Sequence, residues 1–257
     1  MTPPRFTMIG GPTVLIEIPG LRLLTDPTFD PPGEYQLPHV KLIKTAGPAI
    51  PAERLGKIDA VLLSHDQHAD NLYHSGRALL AQAGRVLTTV AGAHRLSGQA
   101  EGLAPWQSAE LDEGRARVTA TPARHGPAGI EPLAGDVIGF VIEARNTPAI
   151  YVTGDTVWYD GVAEVSRRFK VGIVLLFAGA AQTRGPFHLT MDVNDAIETA
   201  QAFPEAAIVP AHCGGWQHFR QSCDDVAKSF NALGFGARLR VLEPGVATEI
   251  APQAAKA

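Results

Sequence analysis

Four short apolar runs, spread from residue 60 to residue 212, each end in a side chain that can bind a cation. His65 follows VLLS, His125 follows VTATPAR, Asp155 closes IYVTG and His212 follows IVPA. Short, continuously apolar runs are what strands covered on both faces look like. In open α/β sheets, ligand sites collect beyond the strand ends, where loops converge. Singly, His65, Asp155 or His212 would more often cap a turn or satisfy a backbone group. Four residues of this chemistry, all at the same kind of position, imply a shared site. They also demand a fold in which distant strands end side by side.

The remaining punctuation agrees with a layered α/β fold, its sheets covered by helices. Residues 6–9, 13–18 and 21–25 read as strands, with Pro19-Gly20 as a turn. Residues 26–51, rich in Pro and Gly, read as a long surface loop. Further strands are expected at 60–63, 85–89, 117–121, 137–142, 149–153, 171–177, 207–209 and 238–242. Helices are expected at 75–82, 91–96, 192–203 and 223–233. Asp192 suits an N-cap, and Ala196, Ile197, Ala200 and Phe203 recur at helical spacing. No linker or internal repeat breaks the chain, so one domain over 1–257 is expected.

Composition narrows the function classes. At 45% hydrophobic and 19% charged, the 257 residues fill a core and are unlike a disordered chain. A net charge of −4 argues against gripping nucleic acid by bulk charge. The longest strongly apolar run, 171–181, is shorter than the ~20 residues that cross a bilayer, and the opening MTPPRFTMIGG lacks a signal-peptide pattern. The expectation is a cytoplasmic protein acting on a small molecule, with no membrane partner. Cys213 and Cys223 form no CxxC pair and no disulfide framework. There is no GxSxG nucleophile motif.

The first of the four positions opens a denser cluster, Ser64-His65-Asp66-Gln67-His68-Ala69-Asp70-Asn71. Imidazole and carboxylate suit zinc, whose bonds to nitrogen are about 2.0–2.1 Å long and therefore need convergent ligands. A tight loop at a strand end can aim two or three donors together, and His125, Asp155 and His212 can close the shell.

With these residues in place, the sequence resembles the metallo-β-lactamase-fold hydrolases, nearest the group with ascorbate-phosphate lactonases and N-acyl phosphatidylethanolamine phospholipase D. That family opens with a hairpin and a DP turn, matched by Asp26-Pro27. It then carries HxHxDH after a buried strand, a further His (TPARH, His125), an Asp in a GD turn (TGDT, Asp155) and a last His (VPAH, His212). The match runs from residue 6 to about residue 245. It implies a four-layer αββα sandwich. By resemblance, His65, His68 and His125 hold a first metal, Asp70, Asn71 and His212 a second, and Asp155 bridges them. Family members are often oligomeric, and nothing in the sequence selects a number.

The central motif departs from that pattern. Counted back from Asp70 it reads HxDN, with Asn71 where the family has His. Counted forward from His65 it reads HxQ, which puts Gln67 at the second ligand position and leaves His68 outside. One inserted residue separates the two registers. The favoured ligands are His65, His68 and Asp70, because a loop bulges more cheaply than a site loses a nitrogen donor. An amide oxygen at Asn71 is a poor zinc donor, so one zinc ion is supported ahead of two. Mn²⁺ or Fe²⁺ would better tolerate an oxygen-rich second position.

The expected chemistry is hydrolysis by a metal-activated water, with Asp70 or Asp155 taking its proton and His188 protonating the leaving group or touching substrate. A lactone or carboxylic ester ranks above a phosphodiester. A phosphorylated substrate would need clamps, for which Arg124 and Arg184 are the candidates, although both residues more often face solvent. His218 is a weaker substrate-contact candidate. Asp66 is a candidate for orienting a histidine. Asp26 reads as a structural turn residue, His39, His74 and His94 as surface residues, and Cys213 as a small buried side chain. Trp158 and Trp216, which follow site loops, are packing residues or pocket walls. The competing reading is a non-catalytic ligand-binding module, motivated by the altered HxxHxDN motif.

Overall fold

The opening segments β1 (Arg5–Gly10), β2 (Thr13–Ile18) and β3 (Leu21–Thr25) form an antiparallel meander. The computed structural model describes residues 1–37, 40–98 and 100–253. His39 lies outside them. The expected long loop contains a two-stranded hairpin, β4 (Gly33–Gln36) and β5 (Lys41–Lys44). Three further strands then add in parallel to the meander: β6 (Ala60–Leu62), β7 (Val86–Thr89) and β8 (Glu101–Leu103).

A second sheet begins with β9 (Ser108–Leu111), β10 (Ala116–Pro122), β11 (Ile138–Ala144) and β12 (Ala149–Val152), all antiparallel. It continues in parallel through β13 (Val171–Phe177) and β14 (Ala207–Ala211). A final strand, β15 (Ala247–Glu249), returns to the first sheet beside β1.

Period-two alternation sorts the strand residues into layers. Ile173, Leu175 and Phe177 join Phe6, Ile16, Leu23 and Leu62 in the core between the sheets. Their neighbours Val174 and Leu176 face the other way. They pack on Val162 and Val165 of α4 (Asp160–Arg168), Ala196 and Ala200 of α5 (Val193–Ala202), and Val226 and Phe230 of α6 (Cys223–Ala232). The outer face of the first sheet is covered by Leu79 and Leu80 of α1 (His74–Leu80), together with Leu72 and Leu96. Two shorter helices, α2 (Val90–Arg95) and α3 (Glu131–Ala134), complete the helical elements. Helix, sheet, sheet, helix is the four-layer order expected. No helix among the described residues is long and apolar enough to cross a membrane.

Two expectations are corrected. Residues 238–242 do not form a strand. Arg238 instead donates to the carbonyls of Ala200 and Phe203, capping the end of α5, and also to that of Ala206. Only Leu239 then bridges to Ile208. Cys213 is not a free buried thiol. It is bonded to Cys223 at the start of α6, with Cα atoms 5.4 Å apart.

Candidate metal centre

His65 lies just past β6, His125 past β10, Asp155 past β12 and His212 past β14. The two sheets are stitched together at this edge, where the Ile138 amide donates to the Ser64 carbonyl at 3.1 Å. Gly154 makes the approach possible. Its φ is +62°, and a Cβ there would lie 2.6 Å from the Ile138 carbonyl oxygen and 3.1 Å from Ser64 Cβ. Gly154→Ala therefore combines backbone strain with a clash against main chain, and should cost more than ~1 kcal/mol in urea unfolding. An unchanged unfolding midpoint would show that the turn is not so tightly held.

Three imidazoles meet at this edge. His65 Nε2 is 2.9 Å from His68 Nδ1, and His125 Nε2 is 3.1 Å from the same atom. The outer nitrogens decide which atoms carry protons. His125 Nδ1 lies 2.8 Å from the Leu189 carbonyl, which only accepts, so Nδ1 carries the hydrogen and Nε2 presents a lone pair. The Ser64 hydroxyl donates to Asp26 Oδ1 at 2.9 Å, leaving Ser64 Oγ to accept from His65 Nδ1 at 2.9 Å. His65 Nε2 then also presents a lone pair. Burial pushes the His65 ring well below the ordinary histidine pKa, and neighbouring His68 adds to this. Burial, followed by His125, brings His68 down to about 4. Three ring nitrogens aimed at one point form a set that suits a cation.

Carboxylates close the other side. Asp155 Oδ2 is 3.6 Å from His125 Nε2 and 4.0 Å from His65 Nε2, while its Oδ1 is 3.5 Å from His212 Nε2. Asp70 Oδ2 is 3.7 Å from His212 Nε2 and 2.9 Å from His218 Nε2. Burial pushes both acids upward, but facing histidines outweigh it and hold them below the usual carboxylate range. For Asp155 the leading one is His212, and for Asp70 it is His218. The same pairing raises His212 despite its burial.

The register of the motif is visible in the loop. Gln67 is exposed and packs against Gly135, while His68 turns inward. Asn71 is fully buried, with neither amide atom hydrogen-bonded. Asp66 does not orient a histidine. Its carboxylate is engaged by Arg95, and its carbonyl accepts from Arg77. His188 stands apart from the three imidazoles. Its ring is held between Asp192, at 3.7 Å, and Asp195, at 3.2 Å, at the start of α5, so the expected proton donor points at other carboxylates. Arg124 stacks on Tyr159 and donates from Nε to the Gly126 carbonyl. Arg184 is exposed and lines a small cavity of about 40 Å³ with Leu42, His68, Asp70, His125 and His218. Trp158 and Trp216 pack against neighbouring side chains, Trp216 deeply buried.

Sequence reasoning missed Ser64 and Lys44. Lys44 is buried, donates to Thr28 and lies 5.4 Å over the Trp216 ring, and burial lowers it to about 8. Its only sequence signal is a charge ending a short apolar strand.

A family profile described as the beta-lactamase superfamily domain matches residues 21–213, three quarters of the chain and every donor named above except His218. The chain belongs to the beta-lactamase superfamily. It is similar to a Herpetosiphon aurantiacus protein named UPF0173 metal-dependent hydrolase, 26% identical over 94% of this chain and 95% of that one. A Bacillus subtilis relative, UPF0173 protein YddR, is 30% identical over 44% of each chain. The match to a Myxococcus xanthus relative likewise covers 42% of that protein's length. Among solved structures, an isothiocyanate hydrolase from Delia radicum gut bacteria superimposes with a TM-score of 0.83 at 22% identity, covering 96% of this chain and 99% of the other. A Veillonella parvula protein described as a possible metal-dependent hydrolase gives 0.85, also at 22% identity, with coverage of 96% and 100%. At this identity the likeness establishes the fold.

Proposed function

We propose that this superfamily member is a metal-dependent hydrolase whose centre is built by His65, His68 and His125 with Asp155, Asp70 and His212, in one domain spanning the chain. The observation that carries the reading is the convergence of three imidazole nitrogens on one point, with acids on the far side. A cation held there would act as a Lewis acid and bring the pKa of a bound water from 15.7 to about 7. Zinc is the proposed ion, since nitrogen donors dominate the first set.

The chain's own residues do the rest. The Leu189 carbonyl and the Asp26–Ser64 pair fix which nitrogens of His125 and His65 face inward. Asp155 reaches both donor sets, and Asp70 and Asp155, kept ionised, are the proton acceptors beside the attacking water. Within the superfamily, the proposed kinship is with the lactonase and phospholipase D group. A lactone or carboxylic ester is the proposed substrate, ahead of a phosphodiester. The mouth offers one exposed arginine, Arg184, rather than the several cations a phosphate would call for.

The non-catalytic reading loses its motive once His68 faces inward, because the extra residue is absorbed by Gln67 on the loop surface. The test is elemental analysis followed by a panel of lactones, esters, phosphodiesters and an isothiocyanate, with and without chelator. Bound metal and turnover that vanishes with chelator and returns with zinc are expected. A protein that takes up neither zinc, manganese nor iron would overturn the reading.

A further inference from the structure

The second donor group has an unusual composition. The motif position that should supply an imidazole holds Asn71, buried and without hydrogen bonds. Yet Asp70 is not left with His212 alone. A histidine from 148 residues further along the chain, His218, places Nε2 2.9 Å from Asp70 Oδ2. Its ring is buried, and its other nitrogen has no partner. We propose that His218 supplies the nitrogen donor that position 71 lacks, so that Asp70, His212, His218 and Asp155 form a second cation position beside the first.

Three observations carry this beyond a simple hydrogen bond. First, the loop bearing His218 is fixed from both sides. Thr45 donates to the Gly215 carbonyl at 2.8 Å, Gln217 to that of Ile43 at 2.9 Å, and Gln182 to that of His218 at 3.0 Å. The ring is therefore delivered to Asp70 by the hairpin strand β5 and by the loop after β13. Second, two of the atoms that face this group lack partners. Asp155 Oδ1 and His212 Nε2, 3.5 Å apart, are both buried and without hydrogen bonds. Buried groups are ordinarily paired, so two facing orphans mark an absent partner. Third, three of the pairwise spacings suit a cation. Donors 2.0–2.1 Å from a tetrahedral ion stand roughly 3.4 Å apart. The pairs at 2.9, 3.5 and 3.7 Å bracket that value. Among the described residues, His65, His68 and His125 all lie within 4.8 Å of one another, whereas the second group meets only pairwise. The first position is therefore preformed, whereas the second, on this proposal, needs its side chains to draw together on the ion.

This inference rests on the metal-hydrolase reading, and its test separates the two. Zinc stoichiometry and affinity are measured by competition with a chromophoric chelator, with circular dichroism as the folding check. The full chain should bind two ions. His218→Ala should keep the first and weaken the second by more than the ~10–100-fold that loss of an outer partner costs. The double variant His218→Ala/Asn71→His, which returns the imidazole to the motif position, should restore the second ion. X-ray absorption of the zinc-loaded protein should show fewer imidazoles per chain in His218→Ala and the original number in the double variant. Two ions bound by His218→Ala with unchanged affinity, or one ion bound by the unaltered chain, would overturn the proposal and leave the hydrolase reading standing. No ion bound by the unaltered chain would overturn both. If His218→Ala fails to fold, His218→Gln, close in volume and without imidazole, carries the same expectation of losing the second ion.

Discussion

His125→Ala and Asp155→Ala should each lose more than ~100-fold of the chain's hydrolytic turnover, whereas His74→Ala should retain it. His125 supplies one of the three ring nitrogens that converge at this edge, and its orientation is fixed by the Leu189 carbonyl. Alanine there leaves a gap that His65 and His68 cannot fill, because both are held on one short loop. Asp155 is the only acid within 4.0 Å of both His125 and His212 among the described residues, so its loss uncouples the two donor sets. His74 is exposed at the start of α1, its ring lying against Tyr73. Turnover is measured on whichever substrate the panel identifies, alongside bound zinc and the urea unfolding midpoint. Equal loss in all three variants, with unfolding midpoints reduced together, would place the defect in folding and remove the support for a shared centre.

The parts of this molecule that the sequence disclosed are those written in short-range pattern. Buried strands such as 171–177 announce themselves by continuous apolar residues, and α5 by Asp192 at its cap and its spaced apolar face. The strand-then-ligand rhythm at His65, His125, Asp155 and His212 is equally local. The hairpin β4–β5 escaped because GEYQ is mostly exposed and polar, and in KLIK one of the two inward-facing positions, 42 and 44, is a lysine, so no apolar stripe codes the pairing. Arg238 escaped because a side chain capping another element's carbonyls leaves no trace in its own neighbourhood. The same reason explains His188 and His218. Both sit on loops near the site in sequence, and nothing local says that one ring turns to Asp195 while the other crosses to Asp70. Long-range convergence is decided by loop anchoring, here the hydrogen bonds that pin residues 215–218.

Stripped of metal, the folded protein should lose the stability that the neutral His68 ring contributes as pH falls from 7 to 4.5. The sign follows from the two rings that burial disfavours in charged form. In the folded state His68 titrates at about 4 and His65 well below its ordinary value, whereas an exposed histidine titrates near 6.5. Below pH 6.5 the unfolded chain takes up protons that the folded chain refuses, so stability is full above 6.5 and falls until pH reaches the folded value. For His68 alone, a fall from 6.5 to about 4 amounts to roughly 3 kcal/mol, a large share of the ~5–15 kcal/mol that holds a typical protein together. His212 acts in the opposite sense. Its value is raised by Asp155, so its contribution is complete below 6.5 and disappears as pH rises through its folded value. The depressed acids Asp70 and Asp155 keep their contribution throughout this window and lose it only in stronger acid. His188, raised by Asp195, and Asp26, raised by burial, oppose the loss as His212 does, so the loss is assigned to His68 by difference. Urea unfolding of the chelator-treated protein and of His68→Asn at pH 7, 5.5 and 4.5 measures it, and the variant should lose less stability on acidification because this contribution is gone. The same pH dependence in the unaltered protein and in His68→Asn would mean that the rings do not face one another when no ion is bound, and that the ion itself draws the loops together.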